Sequence, residues 1–388
     1  MINTVCGIRS TGRICTDLAT ALEAQGHEVK IAYGRENVPS EYQKYAVRIG
    51  NEFDIRLHGA KARLFDGSGF GSRKTTRIFI KWIREYDPDV IHLHNIHGYY
   101  INIEELFNYL KTCGKKIIWT LHDCWAFTGH TAFCDSINCK KWINGCYKCP
   151  LKQLYPKTFV DHSKNNWNKK KELLRGVQGL TLITPSEWLK NCVLLSFLAD
   201  YPVKVIKNGV DTSLFYPRRS SFKEKHNLTN KKIVLGVASV WDDSKGYSDF
   251  LRLSKVLEDD YQIVLVGLSK KQIQSLPNNI IGIERTTDVN ELAEIYSAAD
   301  VFLNMTYCDT FGQVNLEAAL CGTPIISYDT GGCAESVGNS GVLVEKGNIK
   351  QVREKLFYIF SPQFKPDFNK SKLDSSLTIK KYLEEYAD

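Results

Sequence analysis

Val301-Phe-Leu-Asn304, followed a few residues on by Asp309-Thr-Phe-Gly-Gln-Val-Asn-Leu-Glu317-Ala-Ala-Leu-Cys-Gly322-Thr-Pro324-Ile-Ile-Ser-Tyr328, spells strand, loop, helix and strand in succession. The two strand runs are short and largely apolar, the pattern of strands buried on both faces of a parallel sheet. Between them a run of small and apolar residues ends at Gly-Thr-Pro, a helix stop. Backbone amides around Phe311, Gly312 and Gln313 open this helix. A helix start carries unpaired N–H groups and partial positive charge, which suit a phosphate. Glu317 lies about one and a half turns further along, placed to accept two hydrogen bonds from a ribose diol. The same residues also read as an ordinary strand-loop-helix with a surface Asp and Glu.

Strands and helices alternate twice along the chain. In the first half, Ile2–Cys6, Val29–Tyr33, Val90–His94, Ile117–Leu121, Leu180–Thr184 and Val203–Ile206 are predicted strands. Predicted helices begin at Ile14 and cover Thr76–Glu85, Glu104–Lys111 and Glu187–Leu198. A second series runs through Ile233–Ser239, Tyr261–Val266, Ile280–Ile283, Val301–Asn304 and Ile325–Ser327. This alternation predicts an α/β fold of two Rossmann-like, doubly wound parallel-sheet domains facing a cleft. The turn-forming Lys207-Asn-Gly-Val-Asp211 marks the boundary. The expected domains are 1–206 and 207–365, with a tail over 366–388 whose spacing at Leu377–Tyr386 is helical.

A chain of 388 residues suits two domains, and 43% hydrophobic with 24% charged residues is an ordinary globular balance. The longest apolar runs, such as Val193–Ala199, fall far short of the roughly 20 residues that cross a bilayer. Met1 leads straight into a strand with no basic leader or cleavage site, which predicts a cytoplasmic protein. Residues 1–206 hold 29 Lys and Arg against 19 Asp and Glu, a balance of +10 that leaves −2 for the rest of a +8 chain. A basic first half attracts phosphates, nucleic acid or an acidic membrane face, or is simply a solvated surface.

In such sheets ligands bind beyond the carboxyl ends of the strands. Gly7-Ile-Arg-Ser-Thr-Gly12-Arg13 follows the first strand. It lacks the G-x-G-x-x-G spacing, and no acid ends the second strand, where Tyr33-Gly-Arg35 sits; a hydride-transfer enzyme is thereby disfavoured. A loop bringing Gly12 and Arg13 to a helix start suits a phosphate or sugar, or is a plain tight turn. His122 ends the strand of Trp119-Thr-Leu-His122-Asp123, His94 ends the preceding strand beside His92 and His97, and Lys245-Gly246 follows the first strand of the second half.

Asp309 and Glu317 together resemble the acid-x7-acid donor signature of retaining GT-B glycosyltransferases, glycosyltransferase family 4. The resemblance covers nearly the whole chain. It implies that Glu317 binds the nucleotide ribose and that Asp309, where most relatives carry Glu, lies beside the donor sugar with His122. It further implies that Lys245, Phe311, Gly312 and Gln313 hold the donor diphosphate, with Gly12 and Arg13 beneath it. The family's second clamp, an Arg, is replaced by Val240, and Arg13 or Arg285 are candidate substitutes. By the same resemblance a tail helix crosses back onto the first domain.

Cys134, Cys139, Cys146 and Cys149 are spaced C-x4-C-x6-C-x2-C inside an insertion over 124–150. Four thiolates on short loops suit a structural zinc that pins an insertion too small for its own core; disulfides or unligated thiols are the other readings. Trp125, Phe127, Phe133 and Trp142 are interleaved there, to stack on sugars or to pack the knuckle.

The resulting expectation is an enzyme that moves a sugar, with retention, from a UDP- or GDP-type nucleotide sugar to a glycan or polyprenyl-phosphate-linked acceptor. The subgroup it resembles makes bacterial exopolysaccharide, capsule or colanic acid. No catalytic divalent metal and no nucleic acid are implied, and peripheral association with the inner membrane face suits the basic first half. The alternatives are a GT-B nucleotide-sugar epimerase and, in another class, a zinc-containing nucleic-acid-binding protein.

Overall fold

Short Val-, Ile- and Leu-rich runs form the strands, as expected where both sheet faces are covered by helices. The computed structural model describes residues 1–286, 288–368 and 373–387. The first seven strands are β1 (Ile2–Asn3), β2 (Ile31–Tyr33), β3 (Ala46–Arg48), β4 (Val90–Leu93), β5 (Lys116–Thr120), β6 (Leu180–Thr184) and β7 (Val203–Val205). They make one sheet in the order β3-β2-β1-β4-β5-β6-β7, parallel throughout. The next six are β8 (Lys232–Val237), β9 (Tyr261–Val266), β10 (Ile280–Ile283), β11 (Val301–Asn304), β12 (Ile325–Tyr328) and β13 (Gly341–Val344). Their order is β10-β9-β8-β11-β12-β13, again parallel. In each sheet the chain winds outward one way and then restarts beside its first strand. The β1/β4 and β8/β11 crevices are therefore the switch points where such sheets bind ligands.

The chain divides into two units. One comprises Met1–Cys134, Asn138–Ile206 and the residues from Ile379 on; the other comprises Asp135–Ile137 and Lys207–Thr378. Of the expected tail 366–388, residues 369–372 and 388 lie outside the described residues. Within the first unit the end of helix Ser375–Ala387 buries Tyr382 against Leu18, Ile118 and Ile183. Tyr386 Oη meets His92 Nδ1 at 2.6 Å, and His92 Nε2 meets Thr120 Oγ1 at 2.8 Å. His92 is thus a buried fastener between sheet and helix. Within the second unit, the peptide around Val210 pairs with the returning chain, Val210 N donating to Leu373 O at 2.8 Å and Ser375 N to Val210 O at 3.1 Å.

Two expectations about local structure change. The first helix begins at Arg9 and runs to Ala24, not from Ile14. Gly7, at φ +72°, makes the turn, and Gly7 N donates to Gly12 O at 3.2 Å, so the loop is Thr4–Ile8 and Gly12 and Arg13 are already helical. The second change is a helix over Glu52–Phe65, in a stretch with no predicted element. No helix among the described residues is long and apolar enough to cross a membrane.

Candidate active site

At the second unit's switch point the loop after β8 and the loop after β11 meet. Asp242 accepts from Ser244 N (2.9 Å) and Lys245 N (3.3 Å), folding one tight turn that ends at Gly246. Gly246 is left-handed, φ +75°, and a Cβ there would collide with the Met305 carbonyl. Only glycine fits both demands, which explains the Lys-Gly pair. The turn delivers Lys245 Nζ to 3.2 Å from Asp309 Oδ2 and 3.4 Å from Thr306 Oγ1. Burial opposes the charge on both partners, yet their mutual attraction wins: Lys245 is held above, and Asp309 below, its ordinary value.

Asp309 Oδ1 also accepts from Gly312 N (2.9 Å) and Phe311 N (3.3 Å). Those two amides, expected to point at a phosphate, are engaged by the carboxylate two and three residues back. Phe311's side chain is buried in the core, and Gly312 takes φ +78° as the residue preceding helix Gln313–Leu320. That helix has no side-chain cap from Gly312 and no acid in its first turn, so the Asp309 carboxylate on the preceding amides is the negative charge that faces its partial positive end. Gln313 Nε2 reaches the Gly209 carbonyl at 3.5 Å. Further along, Glu317 Oε2 accepts from Tyr296 Oη at 3.0 Å. Burial, then Glu317 itself, pushes the Tyr296 phenol well up, so it stays a donor. Beneath the loop, Asn304 Nδ2 donates to Asn315 Oδ1 (3.0 Å) and Asn315 Nδ2 to Ser336 Oγ (2.9 Å), a buried network that fixes β11 to the helix. Val240, which replaces the family's second clamp, is exposed, and so is Arg285.

In the first unit, Gly12 is buried, and a Cβ on it would press on Val5 and on the amide of Gly7. Arg13, beside it, is exposed. His122, after β5, places Nε2 at 3.0 Å from His94 Nδ1, and the two rings stack with centroids 5.3 Å apart. Burial lowers His122 to about 4 and His94 well below its usual value, so both are neutral hydrogen-bonding rings at neutral pH. His97 joins a cluster that the sequence did not reveal: its Nε2 lies 2.7 Å from Asp123 Oδ2 and its Nδ1 3.1 Å from Tyr155 Oη. Trp125 and Tyr99 complete an aromatic wall, with centroids 5.3 Å from His97 and 6.0 Å from Tyr155 respectively. Burial would raise Asp123, but His97 and the Trp125 amide outweigh it and hold the carboxyl down. A His paired to an Asp beside aromatic rings is suited to bind polyol hydroxyls. Residues 26 and 58 positions apart in sequence make these contacts, which no local pattern announces.

The cysteine insertion corrects an expectation. Cys134, Cys139, Cys146 and Cys149 line one cavity of ≈ 20 Å³ together with His130 and Trp142. Among the described residues, however, no group of three or more His, Cys, Asp or Glu could hold a metal ion. The insertion is held by aromatic packing instead: Phe127 lies 4.9 Å from Trp142, and Trp167 Nε1 donates to Trp142 O at 2.9 Å. Lys170 seals it from below, its ammonium 3.4 Å over the Trp125 ring and donating to the Trp125 and Thr128 carbonyls. Burial brings that lysine down to about 7. The zinc expectation underestimated how much core 124–150 builds with Ser163–Leu174, and no zinc enters the account below.

Residues 11–214, more than half of the chain, match the model described as Glycosyltransferase Family 4, and residues 231–361 match that described as Glycosyl transferases group 1. The putative colanic acid biosynthesis glycosyl transferase WcaC of Escherichia coli (strain K12) is 23% identical over 315 residues, covering 79% of this chain and 76% of its own length. The N,N'-diacetylbacillosaminyl-diphospho-undecaprenol alpha-1,3-N-acetylgalactosaminyltransferase of Campylobacter jejuni is 26% identical over 232 residues, 55% of this chain and 53% of that relative, so about half its length is spanned. The solved structure of Anabaena HepE in complex with UDP-glucose matches with TM-score 0.66 at 14% identity, covering 100% of this chain and 98% of that one. The fold is therefore GT-B.

Proposed function

The chain belongs to glycosyltransferase family 4, and from that premise we propose that it moves a glycosyl group from a nucleotide-diphosphate sugar to a glycan or polyprenyl-phosphate-linked acceptor, with retention, in the assembly of a bacterial surface polysaccharide. The observation that carries the donor reading is the β8/β11 crevice, where the Lys245–Asp309 pair adjoins the start of helix Gln313–Leu320 and Glu317, on that same helix, is held by Tyr296. The relatives' names support the setting: one is assigned to colanic acid, another acts on an undecaprenol-linked sugar, and HepE is solved with UDP-glucose.

In this reading Glu317 takes the ribose hydroxyls, while Lys245 and the amides of Gln313 and its neighbours neutralise the diphosphate. Their effect grows as the anomeric C–O bond breaks and charge collects on the departing phosphate. The diphosphate takes over Lys245 from Asp309, and Asp309 with the Phe311 and Gly312 amides orients the sugar. Acceptor oxygen bonds to the anomeric carbon on the face the phosphate leaves, and its proton passes to a departing phosphate oxygen; the configuration is retained. From the first unit, Gly12, Arg13 and neutral His122 contribute to substrate binding, and the His97–Asp123–Tyr155 group holds acceptor hydroxyls. A cytoplasmic enzyme, peripheral on the inner membrane face, completes the proposal.

The test is incubation with UDP- and GDP-sugars, with and without acceptor. Free nucleotide released only with acceptor, and a product of the donor's anomeric configuration by proton NMR, is the expected result. Sugar isomerisation without acceptor would instead identify an epimerase, and an inverted product would end the retaining reading.

A further inference from the structure

Helix Glu52–Phe65 is amphipathic in the wrong sense for a surface helix. Its buried face is small: Ile55, His58 and Ala62. On the solvent side stand Phe53 (72% exposed), Leu57 (61%) and Leu64 (50%), with Phe65 (59%) at its end. At about 100° per residue, Phe53, Leu57, Ala60 and Leu64 fall within a sector of roughly 60°. Arg56 and Arg63 flank one side of that stripe and Lys61 the other. The only acids on the helix, Glu52 and Asp54, are in its first turn, where Glu52 pairs with Arg48 and Asp54 closes the cap of Asn51.

A neighbouring segment continues the surface. Phe159 (57% exposed) donates its amide to Arg63 O at 2.9 Å, and the Arg63 guanidinium lies 5.0 Å over the Phe159 ring. Lys152 Nζ reaches Phe159 O at 3.4 Å, His162 Nδ1 lies 3.0 Å from Phe65 O, and Lys157, Lys164 and Lys169 are exposed alongside. Asp161 is spent on the amides of Cys149 and Ser163, and Asp66, buried behind Phe65, on the His162 amide and His130. Exposed aromatic and leucine side chains rimmed by Lys and Arg form the surface that enters a lipid headgroup layer, the rings burying while the cations meet anionic phosphates. The opposite face of the helix packs toward the acceptor group, with the His58 and Tyr99 rings 5.8 Å apart and Tyr99 beside Tyr155.

We propose that the outer face of helix Glu52–Phe65, with the segment around Phe159, docks on an anionic lipid bilayer. This deepens the reading of a lipid-linked acceptor, but its test needs no turnover. The full chain is floated with vesicles of phosphatidylcholine alone and with vesicles in which about a third of the lipid is phosphatidylglycerol. Binding to the anionic vesicles only, weakening as salt rises, is expected. Leu57→Glu with Phe65→Glu should cut the partition about tenfold or more, and Arg56→Glu with Lys61→Glu should do the same, with the circular dichroism spectrum unchanged. Equal binding by wild type and both double variants would overturn the proposal, as would wild-type binding that ignores lipid charge. A concentration-dependent dimer in sedimentation, abolished by Leu57→Glu and unaccompanied by vesicle binding, would overturn it in favour of a second copy on this face. Loss of transfer activity in the same variants with vesicle binding intact would count against the proposal while leaving the donor site standing.

Discussion

Glu317 is oriented before any substrate arrives, because Tyr296 holds one of its oxygens at 3.0 Å. Tyr296→Phe removes that single hydrogen bond and should weaken donor binding by about 0.5–1.5 kcal/mol, roughly three- to tenfold, by calorimetry. Glu317→Ala removes the charged acceptor itself and should cost about 1.5–3 kcal/mol or more. Equal affinities in both variants and wild type would remove Glu317 from the donor site. The Lys245–Asp309 pair makes a signed prediction. Asp309 is held below its ordinary 3.8, so its contribution to stability is complete above that value and is lost as pH falls below it. In Lys245→Met only the Phe311 and Gly312 amides still oppose burial, so Asp309 should titrate higher than in the wild type, which a pH series of thermal midpoints of this variant against Asp309→Asn will read. Asp309, Lys245 and Glu317 were legible in the sequence because each sits in a local motif at a strand or helix end. The roles of Tyr296, His97 and Tyr155 were not, because they exist only once distant helices and loops pack together.

Elements show where pattern reading succeeds and why it fails. Strands β4, β5, β6, β9 and β11 were visible as short, largely apolar runs, and the parallel α/β class followed. Helix Glu52–Phe65 was invisible because Phe53, Ile55 and Leu57 alternate as a strand would, the outer residues of that set facing solvent rather than core. Gly7–Arg13 was read as a loop because two glycines suggested one, although Gly12 sits inside the helix for a packing reason. The four spaced cysteines pointed to a metal; the buried Trp142 and Trp167 they accompany supply the core that a metal would have replaced. The turn at Gly246 yields a further prediction. Gly246→Ala must pay for a left-handed alanine and a clash with Met305, a loss of about 1–3 kcal/mol, and it should displace Lys245; a lower thermal midpoint with weaker donor binding is expected, and an unchanged midpoint would contradict the turn's role. At the closing helix, Tyr386→Phe leaves buried His92 without its 2.6 Å partner and should lower stability by about 1–3 kcal/mol in a denaturant titration.

At the scale of the molecule, buried histidines distinguish the two units. Burial lowers His58 and His122 to about 4, and His92 and His94 well below their usual range, all in the first unit. The second unit's lone histidine is His226. A base whose folded value is depressed contributes stability in full above about 6.5 and loses it as pH falls towards 4; His58 alone is worth on the order of 3 kcal/mol. Acidification through that window should therefore unfold the first unit ahead of the second. Six of the seven tryptophans lie in residues 1–206, so a fluorescence transition preceding the loss of donor-induced thermal shift is expected, and coincident transitions would contradict it. The basic first half and the nearly balanced charge of the second were legible from counts alone, whereas the membrane face was not, since it requires knowing which apolar residues stay outside. The donor site remains the centre of the account, and a crystal structure of the protein with a bound nucleotide-diphosphate sugar tests it most directly. The diphosphate should lie against Lys245 and the first amides of helix Gln313–Leu320 with the ribose hydroxyls on Glu317; a nucleotide bound elsewhere, or a Glu317 carboxylate turned away from the ribose, would contradict it.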